Sequence, residues 1–105
     1  MYSPLHPGIV LRAMLDGIFE ETGNRPTIGF MAESLDVSRK TVSDIVNAKS
    51  RVTPEMAIRL AIALPTTTPE HWLRMQENFD LAEARKKLNT DQIRVVWQPR
   101  QAVVG

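Results

Sequence analysis

The chain has 105 residues, 43% hydrophobic and 24% charged, with a formal net charge of +1, enough for one domain with a small core. It has no cysteine, which excludes disulfides, thiolate metal sites and a cysteine nucleophile. No apolar run reaches bilayer length and the N-terminus carries no basic-then-apolar leader, so a cytoplasmic location and no membrane partner are expected.

Residues 1–7 read as a loose lead-in, and His6-Pro7-Gly8 starts the first helix. Proline at a first helical position loses no hydrogen bond, because that N–H has no helical partner. Val10, Leu11, Met14, Leu15 and Ile18 follow at helical spacing and should face the core. His6 has no Asp, Glu or second His nearby in sequence, so it reads as a helix-start residue, not a ligand or base. Residues 20–26, EETGNRP, should break the helix: Gly23-Asn24 admits left-handed backbone and Pro26 disfavours helix at Arg25.

Residues 27–47, TIGFMAESLDVSRKTVSDIVN, read as two short helices joined by a tight turn. Thr27 should cap the first of them. Gly29 within it costs about 1 kcal/mol relative to alanine. Met31 and Leu35 form one apolar stripe, Val42 and Ile45 another, with Val37 plugging the turn and Ala32 small where the helices approach. Asp36 tolerates positive φ at the turn better than most residues, and Ser38 should cap the second helix. That leaves Arg39, Lys40, Ser43, Asp44 and Asn47 outward. The pattern is that of a helix-turn-helix, whose second helix enters the major groove of DNA. The plainer alternative is an ordinary αα-hairpin.

Arg39 and Lys40 lie in the first turn of the reading helix, where arginine can bind guanine through two hydrogen bonds. Asp44 would accept from cytosine or orient Arg39 or Lys40. Asn47 can read adenine, but closing the helix in left-handed geometry is the favoured role. Lys49, Ser50 and Arg51 follow in a loop suited to phosphate, or to plain solvation. Residues 38–51 carry Arg39, Lys40, Lys49 and Arg51 against Asp44 alone, while acidic residues gather at Glu20-Glu21 and from Glu70 to Glu83. A concentrated basic patch suits phosphate better than diffuse charge does.

Thr53-Pro54-Glu55 opens a fourth helix as cap, proline and acid. Met56, Ala57, Leu60, Ala61 and Leu64 should make its buried stripe. Ile58 and Ile62 lie off that stripe, so the helix is either wrapped by the domain or meets a partner. Pro65 ends it, and Thr68-Pro69-Glu70 repeats the opening for a fifth helix, the longest, from about Pro69 to Leu88. Trp72 and Phe79 stand seven apart on one face of it. Core packing is the default for that face, and dimerisation is the other use considered. Residues 93–97, IRVVW, are β-branched and aromatic and read as a strand. Its backbone would need pairing from a dimer mate or another protein, through Ile93, Val95 and Trp97. Pro99 stops it, and 100–105 should be loose.

Four segments together resemble the HigA family of antitoxins, within the Xre-like helix-turn-helix regulators, also labelled virulence-associated protein I. They are HPGIVLRAML, MAESLDVSRKTVSDIVNAK, VTPEMAIRLAIAL and TPEHWLRMQENFDL, and the match spans about residues 6–85. The resemblance implies an all-α, lambda-repressor-like DNA-binding domain; with the elements read above, this gives five helices over 1–89 and a C-terminal strand or tail over 90–105. It implies a homodimer on palindromic operator DNA and a HigB-like, mRNA-cleaving toxin that the antitoxin neutralises while repressing their operon. DNA reading carries over onto Arg39, Lys40, Ser43 and Asp44, and phosphate contact onto Thr27, Asn47 and Lys49, with Ser38, Thr41, Ser50 and Arg51 completing the expected DNA surface. Trp72 and Phe79 join the tail residues as the expected dimer or partner contacts. The chain departs from the family pattern in its long 20–26 loop, in Asp36 and Ala48 where glycines are usual, and at Pro65, where the link to Thr68 is one residue longer.

An enzyme is not expected. His6 and His71 are far apart, the segment at His71 lacks H-E-x-x-H spacing, and no phosphate-cradling glycine loop appears. No catalytic residue, cofactor or metal is assigned. The rival functions are a stand-alone Xre-type regulator without a toxin, and a protein-interaction module that has lost DNA binding.

Overall fold

The computed structural model describes residues 3–100. It contains α1 (Pro7–Thr22), α2 (Ile28–Leu35), α3 (Arg39–Val46), α4 (Pro54–Ala63) and α5 (Pro69–Lys87), and no strand among the described residues. α2 packs on α3, α4 on α5, α1 on α3 and α5, and α2 on α4. Leu11, Leu15, Met31, Ala32, Leu35, Val42, Ile45, Val46, Val52, Met56, Ala57, Leu60 and Trp72 form one buried cluster. The stripes expected from spacing supply most of it. Ala32 and Ala57 are the small residues that let helices meet closely.

Every helix starts on a side chain that satisfies an otherwise orphaned N–H. The Oγ1 of Thr27 accepts from Phe30 N, the Oγ of Ser38 from Thr41 N, and Thr53 and Thr68 accept from Met56 N and His71 N. α1 is capped by the Nδ1 of His6, which accepts from Gly8 N at 2.9 Å. The His6 ring is 3% exposed and meets Phe79 edge-on at 5.1 Å. Pro7 fills the first helical position, and Gly8 lies against α3 so closely that a Cβ there would drive into the Ile45 carbonyl. The three residues thus act as cap, starter and point of contact.

Four expectations need correction. α1 runs on through Glu20, Glu21 and Thr22 and ends only at Gly23, whose φ of 78° closes it. The break begins where the left-handed residue stands, not where the charges do. Asn47 does not take left-handed geometry. Its φ is −96°, and Ala48 carries the positive φ, 57°. Trp72 is 0% exposed, with its Nε1 donating to Thr67 Oγ1, so it fills the core and offers no surface to a dimer mate or partner. Residues 93–97 form no strand, because no second strand exists among the described residues to receive their hydrogen bonds. Ile93, Val95 and Trp97 are 64%, 76% and 76% exposed on an irregular tail. The last expected loose residues, 101–105, lie outside the described residues.

Asp36 does take left-handed backbone, φ 56°, as the turn requires. Thus both positions in the motif where the resemblance leads one to expect glycine keep a glycine-like conformation under another residue. For Ala48 no polar side chain eases the strain, so Ala48→Gly should raise stability by about 0.5–1 kcal/mol in denaturant unfolding. Ala48→Val should lower it.

Burial holds the pKa of His6 below its ordinary 6.5, against the Ser50 backbone and the Asp80 charge, which favour the proton. The cap also needs Nδ1 unprotonated. The stability His6 lends is therefore full above pH 6.5 and is lost as pH falls from 6.5 through the lowered folded value. The melting temperature should fall over that window. His6→Asn, which keeps a capping oxygen but does not titrate, should flatten the profile there.

Candidate nucleic-acid interface

α3 is eight residues long, too short to hold itself together in water. Its inner face supplies Val42, Ile45 and Val46 to the core. Both ends are tied. At the start, Ser38 Oγ receives Thr41 N and meets Thr41 Oγ1 at 2.9 Å. At the end, Asp44 O accepts from Lys49 N and Ser50 N, Ile45 O accepts from Ala48 N, and Val46 O accepts from Arg12 Nη2 at 2.9 Å. The left-handed Ala48 directs the chain back so that these bonds form.

The outward face then follows. Arg39 and Lys40 are exposed at the first turn, Ser43 and Asp44 half-buried at mid-helix, and Asn47 exposed at the end, with Thr41 half-buried beside them. Lys40 Nζ donates to Asp44 at 2.7 Å, an i,i+4 pair on the helix surface. Asn47 Nδ2 donates to Ser43 Oγ, and its Oδ1 accepts from Arg12 at 2.7 Å. Lys49 and Arg51 are exposed on the next loop, with Ser50 half-buried between them. Arg51 Nη2 lies 2.5 Å from Asp80, an ion pair that offsets its charge. Thr27, exposed at the start of α2, has its hydroxyl committed to Phe30 N.

Three residues that sequence reasoning did not single out hold this surface in place. Arg12 reaches from α1 to the end of α3. Arg59, on α4, donates to Leu35 O at 2.8 Å and pairs with Glu55, bracing the turn between α2 and α3. Gln76, 1% exposed, accepts from Val52 N at 2.8 Å and donates to Asp80 at 2.9 Å. Through Asp80 it also steadies Arg51. Gln76 had a readable signal, since it stands four residues after Trp72 on the buried face. Arg12 had none, and Arg59 showed only its i,i+4 partner Glu55, because the carbonyls they brace are more than twenty residues away in sequence.

The face is an outward helix followed by a loop, with exposed cations at Arg39, Lys40 and Lys49, an arrangement that suits a groove of nucleic acid. No cluster of three His, Asp or Glu able to hold a metal occurs among the described residues.

Comparison with known proteins agrees with this geometry. Residues 27–71 match a helix-turn-helix family model. Virulence-associated protein A' of Dichelobacter nodosus is 35% identical over 99 residues, covering 94% of this chain and 80% of that protein. A solved addiction module antidote protein of the HigA family from Coxiella burnetii is 32% identical, with a TM-score of 0.70, covering 82% of this chain and 87% of its own. The antitoxin GraA, solved in complex with its operator, is 36% identical with a TM-score of 0.72, covering 96% and 95%.

Arg39 and Lys49 should separate under mutation on a duplex selected from random sequence. Lys49→Ala should weaken binding to all duplexes alike and reduce the slope of log affinity against log salt by about 1. Arg39→Ala should weaken the selected duplex by roughly 1–3 kcal/mol and relax its sequence preference. Electrophoretic or fluorescence titrations over a salt series read both.

Proposed function

The chain belongs to the HigA family of Xre-like helix-turn-helix proteins, and from that premise we propose that it is an antitoxin. In this reading it represses its own operon as a sequence-specific dimer and neutralises a HigB-like, mRNA-cleaving toxin. The observation that carries the reading is the outward face of α3. It is polar, its ends are locked by Arg12 and Ser38, and exposed cations stand at the first turn and in the following loop. That is the arrangement groove reading needs, and the relative GraA, alike over nearly the whole chain, is solved on its operator.

Base contacts come from Arg39, Lys40, Ser43 and Asn47, with Asp44 setting Lys40. Phosphate is held by Lys49, by Arg51 in exchange with Asp80, and by the backbone N–H groups at the capped starts of α2 and α3, beside Thr27 and Ser38. The toxin or the dimer mate is met elsewhere, by the exposed apolar residues. Ile58 and Ile62 on α4 are 52% and 76% exposed, and Ile93, Val95 and Trp97 stand out on the tail. Phe79 is half-buried against His6 and contributes little area of its own.

The test is co-expression with the product of the adjacent gene. A tight complex that relieves translation arrest is expected, and Arg39→Ala should keep that complex while losing the operator. Salt-dependent binding to its own promoter with no partner captured would instead make the protein a stand-alone regulator.

A further inference from the structure

Arg39, like Lys49 on the following loop, differs from the paired cations around α3. Arg12 is held by Val46 O and Asn47, Lys40 by Asp44, Arg51 by Asp80 and Arg59 by Glu55 and Leu35 O. Arg39 has no hydrogen bond or ion pair to any described residue, yet it is not simply adrift in solvent. Its guanidinium lies across the first turn of α2, in the space a side chain on Gly29 would occupy. A Cβ built there would come within 2.9 Å of Nη2 and 3.2 Å of both Cζ and Nε. Three guanidinium atoms at nearly one distance mean that the plane lies broadside over the bare backbone.

Glycine is the poorest helix former after proline, and Gly29 has ordinary negative φ. Neither helix formation nor backbone conformation calls for it. What the missing side chain does provide is a seat for Arg39. We infer that Gly29 is a specificity-determining position: by leaving this seat open, it sets the direction of the Arg39 guanidinium toward the DNA. An arginine side chain loses considerable rotamer freedom when it binds a base, and one laid in a fixed place beforehand loses less. The seat lies beside the α2 N-terminus, whose partial positive charge does not hold a cation. Arg39 is thus confined by shape without being bound, and is free to transfer both donors to a guanine edge. Gly29 acts only through Arg39, as a positioning residue. The inference rests on the DNA-reading role proposed for α3.

The experiment compares the wild-type chain, Gly29→Ala, Arg39→Ala and the double variant. Each is offered a random-sequence duplex library, titrated against the duplex that the wild type selects, and melted thermally. Gly29→Ala meets only the far end of a flexible side chain, so its melting temperature should equal or exceed that of the wild type. Its affinity should nevertheless fall roughly fivefold or more, with preference flattened at one base pair of each half-site. In the Arg39→Ala background the same change should have no further effect on affinity. Unchanged affinity and preference, a lower melting temperature, or an equal loss without Arg39 would each overturn the inference while leaving the DNA-binding reading intact. A wild-type chain that selects no sequence would overturn both.

Discussion

The fold depends on the contact between the start of α1 and the end of α3. Gly8 brings two backbones together at the Ile45 carbonyl, with no side chain between them. Four residues on, Arg12 takes the next carbonyl, Val46 O, and the Asn47 side chain. α3 is mostly polar and only two turns long, so it borrows its position from this junction. A helix that reads DNA must present its outer face at a fixed angle and depth. Here the angle is set on the far side of the helix, by a glycine and an arginine that need not touch DNA.

A second brace works through a polar chain inside the protein. Gln76 is nearly sealed from water, yet both ends of its amide are used, by Val52 N–H and by Asp80. Losing it would strand a buried N–H, which typically costs about 1–3 kcal/mol. The bond also fixes the loop carrying Lys49 and Arg51 to α5. The loop is therefore an extension of α3 tied to α5, although a short charged sequence such as AKSRV also suits a solvated connection. Arg59 does for the turn before α3 what Gln76 does for the loop after it.

What could be read from the sequence was what a few neighbouring residues decide. The caps at Thr27, Ser38, Thr53 and Thr68, the prolines after two of them, and the apolar stripes follow from interactions three or four residues long, and the structure has them. The left-handed turn at Asp36 was legible for the same reason. The long-range polar contacts were not, since nothing near Arg12 or Arg59 in sequence names the distant carbonyls they reach. Where the end of a helix depended on tertiary context, local signals misled. Asn47 has the better left-handed propensity, but Ala48 takes that conformation because the chain must turn back there under Arg12. Residues 93–97 have strand-forming composition, but composition alone supplies no second strand. Trp72 and Phe79 share a face in sequence, yet one is in the core and the other lies partly at its edge.

The charge of the surface is a matter of position more than number. The net charge of +1 says almost nothing about DNA, and even the surplus in residues 38–51 overstates what is free. Lys40 spends part of its charge on Asp44 and Arg51 on Asp80, leaving Arg39 and Lys49 as the cations of that stretch without an acid beside them. Two free cations support few phosphate contacts, and affinity for DNA rises steeply with that number. One copy of this face alone thus offers few free cations to phosphate. Two copies joined rigidly add their contacts, and the second binding event occurs at high effective concentration. The economy of charge on α3 is thus a physical argument for the proposed dimer.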